Sequence, residues 1–413
     1  MNPASGSVLA APSPDTAAAS EAQRAWGLLR LICGHICLHA SMAGMRLATP
    51  LLALQLGHNP VHVGFLLALY SLSQVFLALP AGRFADRHGL RRPMGLGVVV
   101  AMAGALLSLV FPVFPVLCLS ALCMGAATGG ASIALQRHVG RAARDNTELK
   151  RVFSWLAIGP AVSNFFGPVS AGLLIDYAGA AWSGAVPLAG FRAAFLFMAL
   201  LPILGWYFIR ATPELGPATG TSAAASSASA WSLLQEPAMR RLLLVNWALS
   251  SCWDVHTFVV PILGHERAFS ASVIGTILGG FAIAAAAVRV AMPLVAAHLK
   301  EWVVLTCAML LTAGLFAVYP FMQSPWTMGL CSACLGLSLG SVQPMIMSTL
   351  HQITPQSQHG QALGLRLMTI NFSSVVMPLL FGTAGAVVGV SVVFWTVGTL
   401  VAWGSHLAWR LRP

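Results

Sequence analysis

Apolar residues in this chain gather in long runs, separated by short clusters of Pro, Gly and charge. The runs predict twelve helices at roughly 27–56, 61–81, 93–112, 115–137, 152–176, 192–210, 241–263, 272–296, 302–321, 325–350, 361–385 and 388–409. A helix needs about 20 apolar residues to cross a bilayer, and these runs have that length. The sixth and seventh are separated by residues 211–241, the longest polar and low-complexity stretch, which reads as a flexible linker. Residues 1–24 are rich in Ala, Ser and Pro, contain Asp15 and Glu21, and lack the basic start and apolar core of a cleaved leader. The expected organisation is a disordered cytoplasmic tail over 1–25, a six-helix bundle over 26–210, a cytoplasmic linker over 211–239 and a second six-helix bundle over 240–413.

The two halves align with each other. A shift of 211 positions brings Arg30 onto Arg241, Pro50 onto Pro261 and Gly64 onto Gly275 without a gap. Near the fifth helix a shift of 210 brings Pro168 onto Pro378 and Gly172 onto Gly382. Landmarks that hold one register through successive helices point to an internal repeat.

Composition fixes the solvent. Hydrophobic residues make up 57% of the chain and charged ones 8%, against about 25% charged in soluble domains. Too little charge is present to cover a water-facing surface. The net charge of +11 would suit a nucleic-acid partner, but its placement speaks against one. Of the 22 Lys and Arg, 17 flank the ends that share a side with the termini, and only Arg192 and Arg267 flank the other ends. That bias is the positive-inside rule and puts both termini in the cytoplasm. The two lysines against twenty arginines fit a GC-rich bacterial genome, hence a bacterial cell inner membrane. All eight Cys fall in apolar stretches, and the Cys331/Cys334 pair has neither a second pair nor a flanking His, so no metal site is expected. No phosphate-cradling or dinucleotide glycine loop occurs, and no cofactor is expected.

After the second run come Gly82, Arg83, Asp86, Arg87, Gly89, Arg91 and Arg92. An Asp among basic residues at a membrane edge needs a partner, and the start of the eleventh helix, on the same side, offers its positive dipole end. The sequence closely resembles the signature between helices 2 and 3 of the major facilitator superfamily, departing from it at His88 and Leu90. The resemblance implies an all-α membrane fold of twelve helices in two pseudo-symmetric bundles. It also implies that helices 2 and 11 face each other, with Asp86 latching onto the start of helix 11 near Gln361 and Arg366 as a charge partner. A topology anchor is the alternative. The repeat places Ala297 opposite Asp86, so the second half lacks the acid. In the fifth helix Gly167, Pro168 and Gly172 are similar to the Gly-Pro signature of the superfamily's drug–proton antiporters, with Ala171 in place of a glycine. Either a kink or ordinary close packing accounts for them.

Ionisable groups at membrane depth are costly and mark candidate sites. Asn246, Ser250, Asp254 and Thr257 recur at helical spacing on one face of the seventh helix, and His35, His39 and Arg46 on one face of the first. The repeat superposes the two stripes, as a wet cleft between the halves requires. At 1.5 Å per residue, Arg46 lies about 24 Å beyond Arg30 and Asp254 about 20 Å beyond Arg241, within reach of each other if the helices converge. Three readings stay open: a gate or proton-coupling pair with His256 as relay, an anion-binding Arg46, or a structural role, either as a buried pair or as polar contacts within one half. Arg289 and Arg366 sit near the cytoplasmic ends of their helices, where long basic side chains snorkel. Gln136, Gln343 and Asn371 are either cavity donors or, as is more common for such residues, partners in interhelical hydrogen bonds.

The expected function is secondary active transport of a small solute by alternating access, coupled to protons, with efflux favoured over uptake. The protein is expected to act as a monomer in lipid, with no catalytic residues and no nucleic-acid partner. A membrane-embedded substrate sensor and a lipid-modifying membrane enzyme are the competing classes.

Overall fold

In the computed structural model, residues 14–142, 146–181, 188–212, 214, 230–295, 299–355 and 358–412 are described. They form twelve long helices: α1 (Pro14–Gln55), α2 (Pro60–His88), α3 (Arg91–Val110), α4 (Phe114–Ala142), α5 (Asn146–Ala181), α6 (Ala189–Ile209), α7 (Pro237–Glu266), α8 (Ala271–Val295), α9 (Glu301–Val318), α10 (Pro325–Ile353), α11 (His359–Val388) and α12 (Val390–Trp409). Local chemistry sets several starts. Proline stands at the first position of α2, α7 and α10, where its missing N–H costs nothing. The Asn59 side chain accepts from the His62 N–H, and Ser324 closes a capping box with Thr327.

Eleven of these helices hold a stretch long and apolar enough to cross a membrane. The twelfth, α7, is diluted by its polar stripe, yet Asn246, Asp254 and His256 on it are buried inside the bundle. Large apolar side chains turn outward instead, Phe76, Leu330 and Trp403 among them, each more than two-thirds exposed. A surface of that kind is stable in lipid and not in water. The protein is a multi-pass membrane protein.

Two differences from the sequence reading concern the segments outside the bundles. Residues 14–25, expected to be disordered, extend α1, because PDTAAASEAQRA opens on Pro14 and Asp15 and is otherwise rich in helix formers; residues 1–13 lie outside the described residues. The expected linker is structured at both described ends. Ala230–Gln235 forms a short three-ten helix. At the other end Glu214 accepts from the backbone N–H of Leu90 (3.0 Å) and Arg91 (2.6 Å), while the Arg91 guanidinium donates to the Thr212 carbonyl (2.9 and 2.7 Å). The first turn of α3 has unsatisfied N–H groups and a positive dipole end, and the linker carboxylate meets both.

Within each half α1 packs on α5 and α6, and α7 on α11 and α12. Between halves the principal contacts are α5 with α8 and α2 with α11, and α1 and α7 touch lightly. One face of the bundle carries the termini and the α2–α3 turn; we call it the terminal face and the other the distal face.

Candidate functional site

The repeat landmarks are the points where the two halves meet. Gly64 of α2 lies against the Pro378 carbonyl and Gly382 of α11, and Gly275 of α8 lies against the Pro168 carbonyl of α5. Gly172 completes the second contact by packing on the Ala271 carbonyl and Ser272. In each case a Cβ would overlap the facing backbone, so only glycine permits the approach. Gly167 faces inward to α1, against Ala40 and Gly44. The Gly-Pro stretch of α5 therefore serves close packing on both of its sides.

The distal end of α5 adds a latch that no motif announced. Asp176 accepts from the backbone N–H of Ala271 (3.1 Å) and of Ser272 (2.7 Å), the first residues of α8. A carboxylate from one half thus caps a helix N-terminus of the other. Such a latch was expected from Asp86 at the terminal face. Asp86 is in the last turn of α2, but its side chain lies outside the described residues, as does Ala297. Of its neighbours, Gly82 is half-buried, Arg83, Arg87 and Arg92 are exposed, and Gly89 ends α2 with φ +74°. Arg366, expected to join this cluster, is buried, and the charge acting on it is that of Arg289 in its own half.

Between the glycine contacts lies a small cavity of about 60 Å³. Both halves line it, including Ala43, Arg46 and Asn164 from the first and Trp253, Thr257 and Phe281 from the second. The Arg46 guanidinium lies 5.9 Å from the Tyr70 ring centroid, and the Tyr70 hydroxyl meets Thr49 Oγ1 at 3.1 Å. Asp254 is turned aside: its Oδ2 accepts from Ser373 Oγ (2.8 Å) and its Oδ1 from Ser374 Oγ (3.3 Å), both on α11, and Ser373 also meets Ser251 (3.2 Å). The expected direct Arg46–Asp254 pair is therefore absent. Two hydroxyls within its own half satisfy the acid, and an aromatic face takes the guanidinium. Their opposite charges still act on each other across the interface.

The other stripe residues divide. Thr257 reaches the cavity; its hydroxyl donates back to the Trp253 carbonyl (3.1 Å). Ser250 is half-buried, and Asn246 is buried with its Nδ2 unpartnered. His35 is buried against Gly159 of α5 and His39 is half-buried, with their rings 5.8 Å apart, so of the α1 stripe only Arg46 reaches the cavity. His256, expected as a relay, is hydrogen-bonded away from Asp254. Two residues on along a helix is slightly more than a half-turn away, and the ring stacks on Phe281 (4.1 Å) while its Nε2 meets Ser332 Oγ (2.9 Å), which meets the Tyr319 hydroxyl (2.7 Å). Arg289 does not snorkel outward; its guanidinium lies 5.7 Å from the Trp253 ring centroid. Gln136, Gln343 and Asn371 are exposed and stand outside the cavity lining.

The sequence profile of the Major Facilitator Superfamily matches residues 31–253 and again 242–413. The chain belongs to this superfamily. The second match begins at α7, as a repeat of two six-helix halves requires. Membership supports reading the chain as a secondary transporter. No curated protein matches. Among solved structures, the bacterial homologue of the human lysosomal transporter Spinster, inward-facing and occupied, superposes with a TM-score of 0.79 at 12% identity, covering 94% of this chain and 97% of that one. A POT family transporter in complex with 5-aminolevulinic acid gives 0.74 at 15% identity over 94% and 97%. The nucleoside transporter NupG gives 0.72 at 13% over 94% and 98%. At such identities the likeness establishes the fold.

Proposed function

We propose that this superfamily member is a proton-coupled transporter that moves a small solute across a bacterial inner membrane by alternating access, as a monomer with both termini in the cytoplasm. The observation that carries the reading is the seal at the distal face. Two repeat-related glycine contacts and the Asp176 cap hold the halves together there, while a cavity lined by both halves lies beneath. A carrier needs contacts of this kind, which close one entrance and can part. Basic residues crowd the terminal face, which the positive-inside bias assigns to the cytoplasm, so the sealed face is the outer one.

Proton coupling is read from Asp254. It is buried, sits in the middle of a span, and is held by hydroxyls that serve either protonation state. Its field reaches Arg46 across the interface, so a proton gained or lost changes the attraction between halves. Export is favoured over uptake by the likeness of Gly167 and Pro168 to the helix-5 signature of drug–proton antiporters.

The test uses the purified protein in liposomes holding a pH-sensitive dye, challenged with a solute panel under an imposed proton gradient. A coupled carrier moves protons when one solute is added, and the gradient drives accumulation of that solute on one side, whose identity gives the direction. Asp254→Asn should leave solute exchange running and abolish gradient-driven accumulation. Accumulation that persists in this variant removes Asp254 from coupling, and solute-independent turnover without flux removes the transporter reading.

A further inference from the structure

Polar side chains in a membrane interior normally find partners among themselves. In the second half four exceptions gather on neighbouring helices. Asn246 Nδ2, Trp247 Nε1, Arg289 Nε and Arg366 Nε are buried nitrogens without a hydrogen-bond partner. All four are donors.

They also share one level. Ala282 and Trp253 line the cavity, and Asp254 and Ser373 form the bonded pair beside it. Seven residues, about two turns or 10 Å along a helix, separate Ala282 from Arg289, Ser373 from Arg366, Trp253 from Asn246 and Asp254 from Trp247. Each step runs toward the terminal face and stays on the same side of its helix. The four donors thus form a tier on α7, α8 and α11, about two turns below the cavity and the Asp254–Ser373 pair beside it. Arg289 lies under the cavity-lining Trp253, and the charges of Arg289 and Arg366 act on each other. Arg366 is 5% exposed and Asn246 3%.

Two guanidiniums at one level with no acid between them repel, and both lose hydration on burial. Among the described residues the one acid in mid-span is Asp254, already occupied by Ser373 and Ser374. The repeat register places Ala78 opposite Arg289 and Leu156 opposite Arg366, so the shared scaffold does not require the pair. What the tier lacks is an acceptor carrying negative charge, with a flat apolar body to lie along Trp253.

We infer that the transported solute is a small organic oxyanion, a carboxylate or phosphate on an apolar or aromatic body, held by Arg289 and Arg366 with its body against Trp253. This rests on the transporter reading for its purpose but not for the binding itself. Guanidiniums engage oxyanions through paired N–H donors, which is why two of them select a charged head rather than an amide.

Benzoate, phenyl phosphate and benzamide share a body and differ in the head. Added to the purified full chain in detergent, at least one of the two acids should raise the melting temperature and quench tryptophan emission in a dose-dependent way, and benzamide should not. The acid that acts separates carboxylate from phosphate. Arg289→Gln and Arg366→Gln should each weaken its binding roughly tenfold or more. Both variants should melt no lower than the parent, since each removes an unpaired buried charge; a purely structural arginine would lower the melting point and leave the head-group preference intact. Benzamide acting as strongly as the acids, neither acid acting, or parental affinity in both glutamine variants overturns the assignment. If a variant does not fold, the head-group comparison on the parent protein still decides. Flux of the labelled acid in liposomes separates the two readings. Binding without movement leaves the oxyanion site and removes the carrier, whereas movement of neutral solutes without anion binding does the reverse.

Discussion

Asp176→Ala should open the distal face. The carboxylate accepts two backbone N–H groups of α8, at 3.1 and 2.7 Å, and both partners belong to the opposite half. Hydrogen bonds to a charged acceptor contribute about 1.5 kcal/mol or more when buried; Asp176 is half-exposed, so about 1 kcal/mol each is appropriate. The total near 2 kcal/mol exists only while the face is closed, because parting the halves returns all three groups to water. Losing it shifts the closed-to-open equilibrium roughly 30-fold. Spin labels at Tyr177 on α5 and Trp326 on α10, both strongly exposed at this face, report the separation of the halves. The pulsed-dipolar distance distribution of the alanine variant should gain a long-distance population, and solute exchange should slow if closing becomes the limiting step. An unchanged distribution would mean that the glycine contacts alone hold the face, and the latch would be a surface hydrogen bond with no gating role.

Three further outcomes follow from the same geometry. Gly275→Ala puts a Cβ into the Pro168 carbonyl, so the distal face should fail to close, with flux falling at least about tenfold while the open form stays folded in a melting assay. His256→Phe keeps the stack on Phe281 and loses one bond to Ser332, costing about 1 kcal/mol in melting and leaving the pH profile of transport unchanged, since the ring is not part of the cavity lining and is bonded to Ser332 rather than Asp254. Glu214→Ala uncaps α3, costing about 1 kcal/mol locally, and amide exchange at Leu90 and Arg91 should speed up accordingly.

What the sequence discloses and what it hides have physical causes. Apolar run length is dictated by bilayer thickness, so the twelve helices are legible, and even the diluted α7 is bounded by Pro237 and basic residues. The repeat is legible at Gly64, Pro168, Gly275 and Pro378 because close backbone approach admits few residue types. Asp176 is not, since an acid near a helix end looks the same whether it meets water or the first turn of a neighbour. Helical spacing was sufficient to set His256 on a different face from Asp254, and proximity in sequence misled. Arg289 and Arg366 read as snorkelling or gate residues because sequence places them near the cytoplasmic ends; whether the side chains turn in or out depends on the neighbouring helices. The extension of α1 to Pro14 was within reach of helix propensity but was overridden by the Ala/Ser/Pro composition of the segment around it.

Symmetry and its breaking divide the labour in this molecule. Where the two halves agree, at the paired glycine and proline contacts, the residues are apolar and shape the seal. At the cavity the equivalent positions diverge: Ala43 corresponds to Asp254 and Arg46 to Thr257. Two turns lower, Ala78 and Leu156 correspond to Arg289 and Arg366. The second half therefore carries the acid and the guanidinium pair, and the first contributes Arg46 at the cavity, about two turns above that pair. A solute held by Arg289 and Arg366 would stay with the second half as the bundles rock, while Arg46 meets or leaves it from the other side. Differential contact of that kind is what a ligand needs in order to shift an equilibrium between two conformations. On this account removing Arg46 should alter the rate of exchange more than the affinity, and removing either second-half arginine should do the opposite.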